Sequence, residues 1–234
     1  MPRKSIAVVV AMRRELEPML AGVRGHRANG VEFFELQHAV VAIGGIGRNA
    51  ARQAAEAVVK RFEPTALISA GIAGALKATL RVGDVVEGSE IVDAESGARF
   101  KVTGGKSVIV TVSSVSGSKE KRLLADRYDA DVVDMESAAV VEVAQEHGIE
   151  CKAIKAISDE LDFVMPPVAG FVDANGKFET ARFAAYVAMR PKWWSAVRHL
   201  NANSRTASVN LSHAVGHLIK SHVNNSQEEK VPRA

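Results

Sequence analysis

The sequence predicts an α/β fold in a single domain, and three observations carry that prediction. The apolar runs Ile6–Met12, Val132–Val133 and Ala153–Ile157 have the character of buried strands. Each meets acids: Glu15 after the first, Asp134 and Glu136 after the second, Asp159 after the third. Between Arg48 and Phe62, Ala51, Ala54, Ala55, Val58 and Val59 recur at helical spacing, and from Asp131 onward strand and helix patterns alternate. Where strands run parallel, ligands bind in the crevice outside their carboxyl ends, so the acids are expected to converge although they lie far apart in sequence.

In chain order, a short helix starts at Glu15 and runs to Leu20, with Gly22 ending it, and Val31–Leu36 and Ala39–Ile43 read as two strands joined by a tight connection. Gly44-Gly45-Ile46-Gly47 leads into the helix Arg48–Phe62, whose end is marked by Pro64. Such a glycine-rich turn allows close backbone approach at a helix N-terminus, where amides favour an anion or polar ligand, and is equally a plain strand-to-helix connection. Thr65–Ala70 is a strand that ends in Gly71-Ile72-Ala73-Gly74, and Asp84–Val86, Glu90–Val92 and Val108–Val112 continue the β character. A polar loop, Ser113–Ser118, precedes the charged helix Lys119–Tyr128 and the strand Asp131–Val133. Glu136–His147 is a helix stopped by Gly148, and Glu150–Ile157 is a strand. Asp162–Gly176 is a long loop rich in apolar residues and proline. Phe178–Met189 and Trp193–Val223 read as helices; the domain is expected to span residues 1–223, with 224–234 a frayed, disordered tail.

At 234 residues the chain is long enough for one α/β domain with a substantial core. Its 47% hydrophobic and 24% charged residues are those of a globular protein. The net charge of +3 sits mostly between Arg182 and Lys220, and no nucleic-acid motif accompanies it. Trp193-Trp194, flanked by Arg190, Lys192 and Arg198, suits core or subunit burial and also peripheral contact with a membrane. The single cysteine, Cys151, forms no internal disulfide and reads as a small core residue in a reducing cytoplasm. The N-terminal apolar run meets Arg13-Arg14-Glu15 instead of a cleavage site, and no segment approaches the length of a membrane span.

Five motifs stand in one order over residues 5 to 163: Ala11-Met12-x-x-Glu15, Gly45-Ile46-Gly47, Gly71-x-Ala73-Gly74 followed by Val82-Gly83-Asp84, Val133-Asp134-Met135-Glu136, and Ala156-Ile157-Ser158-Asp159. This pattern resembles the purine nucleoside phosphorylase and methylthioadenosine/S-adenosylhomocysteine nucleosidase superfamily. Beyond it, Pro166-Pro167, Asp173-x-x-Gly176 and Arg190-Pro191 are similar to the hopanoid-associated branch, thought to remove adenine from adenosylhopane. The resemblance implies a three-layer α/β/α domain around a mixed, twisted sheet, cleaving an adenine nucleoside with water or phosphate. It further implies a cytoplasmic homodimer with neither cofactor nor metal.

Cleaving an N-glycosidic bond requires protonation of the departing base, support for a cationic ribose, and a placed nucleophile. By resemblance, Asp159, beside Ser158, donates to N7 of the purine. A carboxyl shielded at a strand end has its pKa raised toward that use. Glu136 accepts from the ribose hydroxyls, Met135 walls the sugar, Glu15 activates water, and the backbone of Gly71, Ala73 and Gly45 completes the contacts. Asp134 is expected to point away and orient a neighbouring strand or a partner subunit, and Arg13 or Arg14 either holds phosphate or is solvated. Two departures matter. Ile72 stands where superfamily phosphorylases bring a hydroxyl to phosphate, which favours hydrolysis, and Ser116-Gly117-Ser118 lacks the aromatic that stacks on the base in the nucleosidases. The apolar loop Asp162–Gly176 suits a bulky hydrophobic 5′ group or subunit packing alike. A phosphate-dependent phosphorylase, a small-substrate nucleosidase and a non-catalytic nucleoside-binding protein remain the competing readings.

Overall fold

The computed structural model describes residues 5–173 and 175–228. Among them, ten strands join into one sheet. Four parallel strands form its middle: β1 (Ile6–Val10), β4 (Ala39–Ile43), β5 (Ala66–Ala75) and β10 (Glu150–Asp159). β3 (Val31–Glu35) and β2 (Gly25–Ala28) add antiparallel strands beyond β4. On the other side β6 (Val85–Asp93) runs antiparallel to β10, and β8 (Ser107–Thr111) and β9 (Val132–Asp134) follow β6 in parallel. β7 (Arg99–Lys101) edges β6. β9 then pairs with the end of β5, so this side of the sheet curls round and closes on itself.

Helices cover both faces because each presents one apolar stripe. α2 (Arg48–Phe62) and α4 (Ser137–Glu146) bury Ala51, Ala54, Val58, Val140 and Val143 against one face. α1 (Glu17–Leu20) and α6 (Trp194–Glu228) bury Leu20, Ala207, Leu211 and Val215 against the other. α3 (Ser118–Tyr128) packs beside β8 and β9, and α5 (Thr180–Ala188) clusters with Phe171 and Val168 of the preceding loop. The result is the three-layer mixed-sheet architecture expected from sequence.

The expected bounds of α2 agree with the structure. Other elements differ: β2 and β7 have no clear period-2 pattern and were not anticipated, and the two short segments at 84–86 and 90–92 are parts of one strand, β6. Gly71–Gly74 continues β5 instead of ending it. α6 runs on to Glu228, past Val223, into the segment expected to fray, and residues 229–234 lie outside the described residues. Cys151 is buried at the start of β10, where burial pushes its thiol up to about 12.

Contrary to the parallel arrangement expected from sequence, the three acid-bearing strands do not all run parallel, because β9 is antiparallel to β5. β5 and β10 are ten residues long and project beyond β1, whose partners on β5 end at Ser69. Val133 sits opposite Gly74, so Asp134–Glu136 run back along the projecting end of β5. The acids meet there because the sheet folds over.

Candidate active site

A cavity of about 430 Å³ opens at this projecting end and is lined by Glu15, Asp134, Met135, Glu136, Ser158 and Asp159, with Ile72 and Ala73 beneath them. The fold thus gathers the acids from three distant parts of the chain. Gly71 and Gly45 do not reach the wall. A Cβ on Gly71 would lie 3.5 Å from the Lys155 ammonium and 3.7 Å from Glu15, so its bare backbone makes room for those side chains. Gly45, with φ of 122°, packs against the carbonyls of Asn175 and Gly176 and ties the apolar loop to the helix start.

Glu15 closes a short 3-10 turn, Arg13–Glu15, directly after β1. Its Oε2 accepts from the amides of Ala11 and Met12, both at 3.0 Å, and the carboxylate turns inward, 3% exposed. Burial raises its pKa, against those amides and Lys155. Glu136 is the residue before α4, and its Oε1 accepts from the amide of Gly47 at 2.8 Å, at the N-terminus of α2. The glycine turn expected to receive a ligand therefore receives this carboxylate. Burial, the charge of Asp134 and the charge of Glu15 push Glu136 up to about 7, against Lys155 and the Gly47 amide.

Behind these two lies a buried relay that no motif announces. Lys155 of β10 is wholly buried, its Nζ 2.8 Å from Asp134 Oδ2 and 3.2 Å from Ser69 Oγ. Asp134 also accepts from the Ser137 amide and hydroxyl and from Thr111 Oγ1. Burial works to raise Asp134, but Lys155 and these hydrogen bonds outweigh it and hold the carboxyl below its usual value. Burial likewise works to lower Lys155, yet Asp134, Glu136 and Glu15 keep it above the ordinary lysine value, so it remains an ammonium. With its acids ionised, this end of the cavity has more negative than positive charge.

The far end is built around Asp159. Its Oδ1 accepts from Ser158 Oγ at 2.7 Å, and its Oδ2 forms a close ion pair with Lys121 of α3, which is 1% exposed and lines the same cavity. The carboxyl is shielded at the strand end, and beside it stands a buried cation brought in by a helix that begins 41 residues upstream. Ser116 Oγ, on the same wall, is buried and has no hydrogen-bond partner among the described residues, leaving a donor and acceptor for a ligand. The remaining wall is apolar: Met165, Val168, Val172 and Phe178 from the long loop, Phe183 from α5 and Val197 from α6. Its aromatic rings thus come from the C-terminal third. Arg14 also borders the cavity, whereas Arg13 lies over the ring of Phe34, 5.1 Å from its centroid. Trp193 packs into the cluster behind this wall, while Trp194 is half exposed.

A family model, the phosphorylase superfamily, matches residues 5–108 and 102–188. The chain belongs to that superfamily. The aminodeoxyfutalosine nucleosidase of Helicobacter pylori is 23% identical over 206 residues, 68% of this chain and 87% of that protein. The 5′-methylthioadenosine/S-adenosylhomocysteine nucleosidase of Shewanella baltica is 26% identical over 196 residues, 66% of this chain and 83% of that one. Among solved structures, the corresponding nucleosidase of Neisseria meningitidis, in complex with methylthio-immucillin-A, superposes with a TM-score of 0.70 at 23% identity, covering 93% of this chain and 99% of that one. That of Colwellia psychrerythraea, in complex with adenine, gives 0.69 at 18%, covering 92% and 94%. These likenesses confirm the fold.

Proposed function

We propose that the protein hydrolyses the N-glycosidic bond of an adenine nucleoside. The observation that carries this reading is the convergence of Glu15, Glu136 and Asp159 on one cavity, with Lys155 behind the first two. As the bond to the base lengthens, positive charge gathers on the ribose, and the negative end of the cavity favours it. Glu136 holds the ribose hydroxyls, Glu15 orients and deprotonates the attacking water, and Asp159 passes a proton to N7 of the base. Met135 walls the sugar, and Ser116 Oγ offers the base a hydrogen bond. The nucleosidase names of the relatives support the same chemistry.

Water is favoured over phosphate as the nucleophile. Ile72 offers no hydroxyl, the amide of Gly47 is taken by Glu136, and that of Ile72 points to Glu15 at 3.5 Å. Arg14 at the cavity edge supports the second reading, a phosphorylase. The apolar wall from Met165 to Val197 supports a hydrophobic 5′ substituent, as in adenosylhopane, whose bulk leaves the cavity beside α5 and α6. No described helix is long and apolar enough to cross a membrane. A cytoplasmic homodimer that meets such a substrate by peripheral contact completes the reading.

The test is incubation of the purified protein with adenosine, methylthioadenosine, S-adenosylhomocysteine and an adenosyl lipid, each with and without phosphate, following adenine. Adenine release independent of phosphate is the expected result. Release only with phosphate establishes the phosphorylase, and tight binding without release from any of the four leaves a nucleoside-binding protein.

A further inference from the structure

Asp159 poses a problem for acid catalysis. Its Oδ1 accepts from the Ser158 hydroxyl and its Oδ2 from the Lys121 ammonium, so both oxygens already receive hydrogens and the one against Oδ2 is carried by Lys121. That ammonium spends its donors on one short stretch: Asp159 Oδ2, the Asp159 carbonyl at 3.2 Å and the Glu160 carbonyl at 2.9 Å. β5 is bare where the pair closes, since a Cβ on Gly74 would stand 2.9 Å from Lys121 Cε and 3.0 Å from Asp159 Oδ2. The other charged groups at this corner turn to each other: Arg122 pairs with Asp162, and Glu160 lies 3.9 Å from Arg81.

We propose that Lys121 supplies the proton that Asp159 delivers to the leaving base, so that the acid of the reaction is a lysine–aspartate pair. The proposal rests on the nucleosidase reading and goes beyond it in naming the proton's source. The Nζ–H bond breaks and the proton passes to Asp159, then to N7 of the purine as the glycosidic C–N bond breaks with its electron pair entering the base. The water oxygen bonds to the anomeric carbon and its proton passes to Glu15. Adenine departs neutral, and Lys121, left as an amine, and Glu15, left protonated, reset by exchange with solvent. A paired ammonium suits this task because the carboxylate that receives its proton already touches it, with both side chains buried.

Lys121 acts through Asp159, so the test must separate proton supply from positioning. Lys121→Met removes both cation and proton. Lys121→Arg keeps a cation that pairs with a carboxylate yet does not surrender its proton. Each variant is assayed as the full chain on the purine nucleoside that the wild type cleaves best and on 4-nitrophenyl β-riboside, whose leaving group departs without protonation. On the purine substrate both variants are expected to lose kcat/KM by about 10²–10³, and on the nitrophenyl riboside by less than about tenfold. Equal losses on both substrates, or a near-normal purine rate in Lys121→Arg, overturn the proposal. Should Lys121→Met fail to fold by circular dichroism, Lys121→Arg alone decides. A wild type that releases no base from any purine nucleoside refutes the nucleosidase reading before a variant is made.

Discussion

At the scale of single residues, Glu136 is a buried carboxyl whose ionised form costs stability. Its carboxyl ordinarily titrates near 4.5, and the fold moves it to about 7 through burial and the charges of Asp134 and Glu15. Between those values the folded state holds a proton that the unfolded chain releases, so the cost of the ionised group is absent below about pH 4.5 and complete above about 7. Glu136→Gln is therefore expected to stabilise the protein at pH 8, by up to about 3 kcal/mol, and to leave it unchanged near pH 4.5. Thermal melting at the two pH values measures this, and an equal shift at both would refute the titration argument. If, as proposed, Glu136 accepts from the ribose hydroxyls as a carboxylate, wild-type kcat/KM should fall as pH drops below about 7, while Glu136→Gln should be impaired throughout. Lys155 predicts the opposite: Lys155→Met strands Asp134 as a buried, unpaired carboxylate and should cost about 3–5 kcal/mol, read by denaturant unfolding. An unchanged midpoint would count against the pair. Glu15, Glu136 and Asp159 were legible in the sequence because each follows an apolar run in a recognisable motif. Lys121 and Lys155 were not, since a lysine inside a charged helix pattern or a strand looks solvated until its acid, contributed by another element, is brought against it.

At the scale of elements, the apolar loop and α5 form the apolar part of the cavity wall. Phe171, Phe183 and Val187 make a small core of their own, distinct from the cores on the two sheet faces. Val168, Phe178 and Phe183 turn the edge of that core to the cavity, where Met165 and Ile72 also line the wall. Each methylene that a 5′-alkyl adenosine buries there should contribute about 0.8 kcal/mol, or about fourfold in kcat/KM, until the wall is covered. An alkyl series assayed below aggregation measures the slope, and Phe183→Ala should flatten it while leaving adenosine itself little changed. A flat series in the wild type would return the loop to a packing role. The helix bounds of α2 were readable because period and Pro64 agree, and the loop's apolar character is plain in its composition. The direction of β9 was not readable. It depends on the sheet curling until β9 meets the end of β5, a long-range closure to which the three residues of β9 contribute only two pairs with β5.

At the scale of the whole molecule, charge is distributed unevenly. From Thr180 to Gln227 the sequence contains no aspartate or glutamate, while Arg182, Arg190, Lys192, Arg198, Arg205 and Lys220 fall within it. The corner between α5 and α6 also presents Met189, 74% exposed, and Trp194, 49% exposed, whose indole N–H is held by the Val187 carbonyl at 2.9 Å. A rigid, half-exposed tryptophan beside cations is suited to the boundary between headgroups and acyl chains, and this corner adjoins the wall where Phe183, Val197 and Arg198 reach the cavity. If the substrate's hydrophobic portion resides in a bilayer, this corner should meet the membrane. The protein is expected to sediment with vesicles containing phosphatidylglycerol and much less with vesicles of phosphatidylcholine alone, each basic residue near the surface contributing about 1 kcal/mol. Binding should weaken in high salt, since charge attraction brings the surfaces together. Arg190→Glu with Lys192→Glu should abolish sedimentation without lowering turnover of a water-soluble nucleoside, because neither side chain borders the cavity. Equal sedimentation with both vesicle types, or no sedimentation with either, would leave the basic surface as a solvated face and confine recognition of the hydrophobic group to the cavity wall.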